Sequence, residues 1–365
     1  MTYSSESRAL DVEILGVINA WHSRGETLDD AAFNDLALRL FAYQLRYNVP
    51  YARYCARLGV TEPESWEEIP AVPAAAFKDA PITTFEPAAA ALIFETSGTT
   101  VGTPGRHYME TAALYDAALT AGFDRFMLSD GARLRYFNLV PNAADRPQSS
   151  LGYMMARVAE QRGDGKTGWY LRGDRLLFAE FCDDVRGAIA EGRPVCIAAT
   201  AFALLHLLDA MDEGGLRFEL PPGSRLMETG GFKTRTRAVA REELYALVCD
   251  RLGIPEHGIV AEYGMTELTS QYYDDVATRR KGGPPWLRTR VVGPERRTLL
   301  KGDVGSLLHV DLANRSSCIA VQTEDLGVQY HDGFVLLGRE QDAPPRGCSL
   351  DAEGLRSPKP AAAAK

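Results

Sequence analysis

The apolar run Ala91-Leu92-Ile93-Phe94, followed by Thr96-Ser97-Gly98-Thr99-Thr100-Val101-Gly102-Thr103-Pro104-Gly105, decides how this chain is read. The apolar run predicts a short strand, and the segment beyond Gly105 reads as helical. A loop this rich in hydroxyls and glycines can turn backbone N–H groups, and the O–H groups of Ser97, Thr99 and Thr100, onto a polyphosphate. It is not a Walker A loop, which ends in Gly-Lys followed by Ser or Thr, because no lysine lies between Thr96 and Gly105. Ordinary P-loop NTPase chemistry is therefore disfavoured. Ser, Thr and Gly also mark plain turns, so the neighbouring segments must decide.

The chain of 365 residues with 45% hydrophobic content can bury a large core, and its length suggests two or three subdomains. A net charge of -9 and a pI near 5.3 argue against general affinity for nucleic acid or anionic lipid, leaving small molecules and proteins as partners. Residues 1–11 lack a cationic start followed by an apolar core, and no apolar stretch approaches the roughly 20 residues that span a bilayer. These features lead to the expectation of a cytoplasmic enzyme. The six cysteines, at 55, 182, 196, 249, 318 and 348, show no C-x-x-C spacing, and the six histidines are scattered. Neither a structural zinc site nor a disulfide framework is indicated.

Apolar residues near helical spacing over 10–18 and 31–45 predict an N-terminal helical layer over residues 1–80. Glu68-Ile69-Pro70-Ala71-Val72-Pro73 breaks that pattern, since closely spaced prolines cannot continue a helix. Over 81–300, strand candidates at 91–94, 134–140, 195–199, 225–227 and 258–262 alternate with helical segments. This predicts an α/β fold with a largely parallel sheet. Ser306-Leu307-Leu308-His309-Val310 and Phe334-Val335-Leu336-Leu337 mark a β-rich subdomain over 301–340. Residues 341–365 read as a short C-terminal segment whose Pro, Ala and Lys tail is disordered.

A second segment, Ala261-Glu262-Tyr263-Gly264-Met265-Thr266-Glu267, closes a predicted strand. Strand ends of open α/β sheets bind ligands, and an aromatic ring, a hydroxyl and a carboxylate there suit base stacking, phosphate contact and magnesium. The plain alternative is an exposed strand cap. A third, Gln322-Thr323-Glu324-Asp325-Leu326-Gly327, is followed by Leu337-Gly338-Arg339. An aspartate can accept hydrogen bonds from both ribose hydroxyls while an arginine supports sugar or phosphate. Alone, each is a common turn.

Together, in this order, they resemble the adenylate-forming superfamily of acyl-CoA synthetases, luciferases and peptide-synthetase adenylation domains. Within it, the chain is most similar to the acyl-protein synthetases of bacterial bioluminescence, on Phe77-Lys78, Ser149-Ser150-Leu151-Gly152-Tyr153-Met154, Thr229-Gly230-Gly231-Phe232-Lys233 and Arg346-Gly347-Cys348-Ser349-Leu350. The resemblance covers roughly residues 65–350. It implies that Thr96, Ser97, Gly98, Thr99 and Thr100 hold ATP phosphates, and that Gly230 and Gly231 border the adenine. It further implies that Tyr263, with Gly264 beside it, stacks on the base, Thr266 contacts the α-phosphate, Glu267 ligates Mg2+, and Asp325 holds the ribose with help from Arg339. Superfamily loops carry a lysine after the proline where this chain has Gly105 and Arg106. Arg106, His107, Lys78 and Lys233 are the candidates to replace it. The chain also ends soon after Arg339, without the mobile C-terminal domain of full acyl-CoA synthetases, which makes the usual domain rotation doubtful.

The implied chemistry is attack of a carboxylate on the α-phosphorus of ATP, giving acyl-AMP and pyrophosphate, with a fatty acid expected from the family. The family's acylated cysteine matches Cys348, where Arg346 two residues earlier would favour thiolate in an extended segment. A reductase or carrier protein would then accept the acyl group. Two readings compete: direct transfer to coenzyme A or a carrier-protein phosphopantetheine, and a silent nucleotide-binding scaffold for an acyl reductase. Cys182, Cys196 and Cys249 read as core, His206 as a satisfied helix residue, and Ser149 and Ser150 as turn or acyl-site residues. Residues 137–155 and Phe232 are candidates for the acid pocket.

Overall fold

The computed structural model describes residues 5–96, 103–230 and 240–339. The chain divides into two compact units, one of residues 1–117, 266–270 and 284–365, the other of residues 118–265 and 271–283.

In the first unit, helices Ser5–Arg24, Asp30–Tyr47 and Val49–Leu58 form the N-terminal layer. The boundary between the last two is written into one side chain. Asn48 ends one helix, and its Oδ1 accepts from Tyr51 N at the start of the next, where Pro50 suits the first turn. The same amide donates to Ser317 O at 3.0 Å. The β-rich part is an antiparallel ladder of Leu287–Val292, Val304–Asp311, Ala320–Tyr330 and Gly333–Arg339, with Val72–Pro73 parallel to the third strand. In the last pairing Asp325 faces Arg339 and Leu326 faces Gly338, but Gly327 faces Leu336, so Leu337 is an extra, bulged residue.

The phosphate-loop candidate sits differently from its sequence reading. The strand Leu92–Glu95 leads not into a helix but into a returning strand, Arg106–Met109, and the two pair antiparallel. The helix starts only at Ala113. Alternating exposed and buried positions in 106–109 place His107 and Met109 inward, a period-2 pattern that the short segment His107-Tyr108-Met109 hid among helix formers.

In the second unit, Gly163–Trp169, Leu134–Leu139, Val195–Thr200, Arg225–Thr229 and Ile259–Tyr263 lie side by side and parallel, continued by antiparallel Tyr272–Asp274 and Lys281–Gly282. The five predicted strands of the α/β region are thus present, four of them in this sheet. Helices Phe178–Ala190, Ala201–Glu213 and Arg241–Leu252 pack on it through Phe181, Val185, Leu204, Leu208, Leu244 and Val248, all buried. Cys182 and Cys196 belong to this interior, and Cys249 lies half-buried against it. His206 is exposed on its helix, and Ser149 caps the helix Ser150–Arg162 by accepting from Gly152 N, which is the turn role. Among the described residues no helix is long and apolar enough to cross a membrane.

Candidate active site

The first unit brings together the base of the hydroxyl-rich loop, the Thr266-Glu267 pair and the Asp325–Arg339 pair. The loop is closed at its ends: Thr96 N donates to Gly105 O at 2.9 Å, and Gly105 N donates to Thr96 Oγ1 at 3.0 Å. Thr96 is therefore the clasp of the loop. The hairpin that carries it also grips Thr266, because His107 Nδ1–H donates to Thr266 O at 2.8 Å and the Thr266 hydroxyl reaches Glu95 O at 3.4 Å. His107 is 1% exposed, and burial drops its pKa to about 4 despite the Thr266 bond, so the ring is neutral with its proton on Nδ1. Its Nε2 has no partner among the described residues.

Glu267 is buried, contrary to an exposed strand cap. Burial raises its pKa to about 7, while Arg339 and Lys78 act in the other direction and Asp325 adds to the rise. Its backbone is fixed from below by Asn314, whose Nδ2 donates to Glu267 O at 2.9 Å and whose Oδ1 accepts from Thr269 Oγ1 at 2.6 Å. Asp311 takes Thr269 N, Ser270 N and the Ser270 hydroxyl at 3.0, 2.8 and 2.9 Å. Trp286 Nε1 donates to that same hydroxyl. Gln44 holds the 314–319 turn in place by donating to Asn314 O and accepting from Ile319 N, each at 2.8 Å. These polar residues, Gln44, Asp311 and Asn314, received no role from the sequence. The signal was the polar run Asn314-Arg315-Ser316-Ser317 set between apolar residues after a strand.

Arg339 Nε donates to Asp325 Oδ1 at 2.9 Å, as their direct pairing across the ladder dictates. Arg106 lies on the hairpin, half-exposed and paired with Glu95 at 2.9 Å. Lys78 closes the short helical turn Ala74–Lys78.

The second unit holds Gly230, Tyr263 and Gly264 at or just beyond the carboxyl ends of its parallel strands, where α/β sheets bind ligands. Tyr263 is the last residue of its strand and is buried, and Gly230, at φ 77, makes the turn after Thr229 that a side chain would strain. Next to Tyr263 the sequence reading overlooked Glu262, which accepts from the Thr229 hydroxyl and is pushed by burial up to about 7. Its carboxylate lies against Gly264, where an added Cβ would meet Glu262 Oε1 at 2.4 Å. Ser97, Gly98, Thr99, Thr100, Gly231, Phe232, Lys233, Arg346 and Cys348 fall outside the described residues, as does the tail at 357–365.

Residues 26–353 match the family "Acyl-protein synthetase, LuxE". The chain belongs to that family. LuxE-type membership agrees with the solved structures the fold resembles. One is 2-hydroxyisobutyryl-CoA ligase in an open conformation with 2-HIB-AMP and CoA, at TM-score 0.64 and 15% identity, covering 86% of this chain and 71% of that one. Another is McyG A-PCP with phenylalanyl-adenylate, at TM-score 0.51 and 17% identity, covering 70% and 48%. A third is ATP-bound MatB from Rhodopseudomonas palustris, at TM-score 0.50 and 16% identity, covering 70% and 49%. The LuxE-family chain thus spans about half the length of the latter two. No curated protein matches the sequence. The shared fold is that of adenylate-forming enzymes.

Proposed function

We propose that the chain is an AMP-forming acid–thiol ligase that activates a carboxylic acid with ATP and passes the acyl group through Cys348 to a partner protein. The observation that carries this is the joining, within one unit, of the hydroxyl-rich loop's base to Thr266 through His107 and Glu95, beside a buried Glu267. In the first step a carboxylate oxygen attacks the α-phosphorus, the bond to the bridging oxygen breaks, and pyrophosphate leaves with that electron pair. Thr266, fixed by its carbonyl, offers its hydroxyl to the α-phosphate, and Asp325 with Arg339 holds the ribose. Because the donors are held before substrate arrives, little reorganisation accompanies the reaction.

Magnesium fits Glu267 on chemical grounds. Among the described residues no cluster of three or more His, Cys, Asp or Glu forms a cage, and Mg2+ is usually held by one or two carboxylates with substrate phosphates and water. When bound it supplies charge neutralisation to the phosphates. A carboxyl that burial leaves poised near neutrality gains its charge as cations approach, so Glu267 responds to the arrival of the nucleotide's counter-ion.

In the second step the Cys348 thiolate attacks the acyl carbon, the bond to the phosphate oxygen breaks, and AMP departs. A long-chain fatty acid is the substrate class that family membership favours, and a reductase the acceptor. Intact-protein mass spectrometry of the wild type and Cys348→Ala with ATP, magnesium and a panel of acids tests this. A hydroxylamine-labile acyl adduct on the wild type alone is expected. Release of pyrophosphate with no adduct on either protein would mean direct transfer to coenzyme A or a carrier phosphopantetheine. ATP binding with no acid-dependent pyrophosphate exchange would mean a silent scaffold.

A further inference from the structure

One edge of the second unit's sheet is left unpaired. Among the described residues no strand pairs with the outer side of Gly163–Trp169, whose inner side pairs with Leu134–Leu139. Tyr170 N donates to Asn138 O at 2.9 Å, so Gly168 and Tyr170 turn their backbone groups inward and, by alternation, Thr167 and Trp169 turn theirs outward. The free stretch is bounded at both ends. On one side the register passes from Leu134 opposite Gly163 to Tyr136 opposite Thr167, so Asp164-Gly165-Lys166 forms a bulge, with Gly165 at φ 94. On the other, the chain leaves the edge after Tyr170 for the hairpin of Leu171–Arg172 and Arg175–Leu176.

A groove of about 600 Å³ runs between this strand and the helix Ser150–Arg162. Ala156 and Ala159 line it from the helix and Gly163, Gly165 and Thr167 from the strand, while Trp169, half-buried, is its one aromatic residue. The charges around it pair off within one chain: Arg157 with Glu160, Lys166 with Glu191, and Asp164 with Arg135. A surface that docks on its own copy meets its own charges, so a patch without surplus carboxylates is what such a contact requires in a chain of net charge -9.

We infer that two copies of this chain pair through this edge, antiparallel about a two-fold axis at Gly168, with each Trp169 entering the other copy's groove. In that register Thr167 lies opposite the second copy's Trp169. These are the two residues whose N–H and C=O groups face outward, so each opposed pair exchanges both of its ladder bonds. Opposed residues point to the same face, which stands each indole over the alanines and glycines of the opposite groove. A bulge ordinarily blunts an edge; here it confines pairing to the stretch from Thr167 to Trp169 and so fixes the register. An edge this short buries less than the roughly 800 Å² per partner of a standard interface, which makes the dimer reversible and concentration-dependent.

Sedimentation velocity of the full chain, from low micromolar to sub-millimolar concentration, tests the pairing in the wild type, Trp169→Ala, Thr167→Pro and Ala156→Glu. Thr167→Pro removes an outward N–H that no internal ladder bond uses, and Ala156→Glu puts an unpaired charge into the groove. The wild type should show a mass-action monomer–dimer equilibrium, and each variant should weaken it by at least about tenfold, as for loss of an interface tryptophan or its pocket. Circular dichroism shows whether each variant is folded. Should Thr167→Pro unfold, Ala156→Glu, at a partly exposed helix position, still carries the test. A wild type that stays monomeric throughout overturns the pairing and leaves the edge to another protein's strand. A dimer that Trp169→Ala and Ala156→Glu leave unchanged overturns it as well, placing the contact elsewhere on the chain.

Discussion

Two interiors in this chain are built on opposite principles. Beneath the parallel strands of the second unit lies an apolar cluster running from Phe137 through Phe181, Leu204 and Val248 to Ile259. Beneath Thr266–Ser270 in the first unit lies a polar interior. There Gln44, Asn48, Asp311, Asn314, Arg315 and Ser317 are all buried and hydrogen-bonded to one another's backbone or side chains. An apolar interior holds a sheet firmly but is indifferent to small rotations of what it supports. Directional bonds fix a peptide's position and orientation, and the segment so fixed is the one that carries Thr266 and Glu267. The contrast assigns stability to one interior and positioning to the other.

The sharpest way to break that contrast is to hollow out the apolar side. Phe181→Ala leaves a large void and is expected to cost about 3–5 kcal/mol in urea unfolding. The polar side should behave otherwise. Arg315 donates to both oxygens of Asp11, at 2.6 and 2.9 Å, and to Glu110. Asp11→Ala takes away one of the two carboxylates that the buried guanidinium pairs with and should cost about 3 kcal/mol, whereas replacing Asp11, Glu110 and Arg315 together by apolar residues should recover most of that loss. Failure of the triple variant to recover would show that these ions carry stability as well as placement.

A pH series sharpens the comparison further. Glu267 has a folded pKa of about 7 against an ordinary value of 4.5, so between these limits the folded chain holds a proton that the unfolded chain has released. Stability contributed by this group is therefore present at low pH and lost as pH rises through that window. Glu267→Gln cannot ionise, and its stability relative to wild type should grow from pH 4.5 to 7 by on the order of 2 kcal/mol. His107, whose folded pKa falls to about 4, works in the opposite sense, adding stability as pH rises, but it is common to both proteins and cancels. A flat difference between the two proteins would mean that Glu267 is charged throughout. The smallest effect is on rate: Asn314→Ala frees the Glu267 carbonyl and should lower kcat for pyrophosphate exchange about tenfold with little change in the KM for ATP. A rise in KM alone would show that Asn314 serves nucleotide binding instead.

The apolar interior was legible because burial on a parallel sheet leaves continuous runs such as Val195-Cys196-Ile197-Ala198-Ala199, which a reader of pattern finds directly. The segments carrying Tyr263, Thr266, Glu267 and Asp325 were legible through resemblance, and the structure places Thr266, Glu267 and Asp325 in one unit and Tyr263 in the other. The polar interior was not legible. Its bonds join positions such as Gln44 with Ile319 and Asp11 with Arg315, hundreds of residues apart, and no local period announces them. The strand after the loop was missed for the opposite reason, since Arg106–Met109 is too short for alternation to outweigh neighbouring helix formers. Lys78 was visible as a residue but not as a neighbour of Gly105, which depends on how an early turn returns to the hairpin.

The bulge at Leu337 has a consequence for descent. Leu337 is surplus to the ladder and 53% exposed, lying between Leu336, which faces Gly327, and Gly338, which faces Leu326. Deleting it would leave each of those partnerships, and that of Asp325 with Arg339, in place. Insertions and deletions at this point can therefore be absorbed while the Asp325–Arg339 pairing is kept intact.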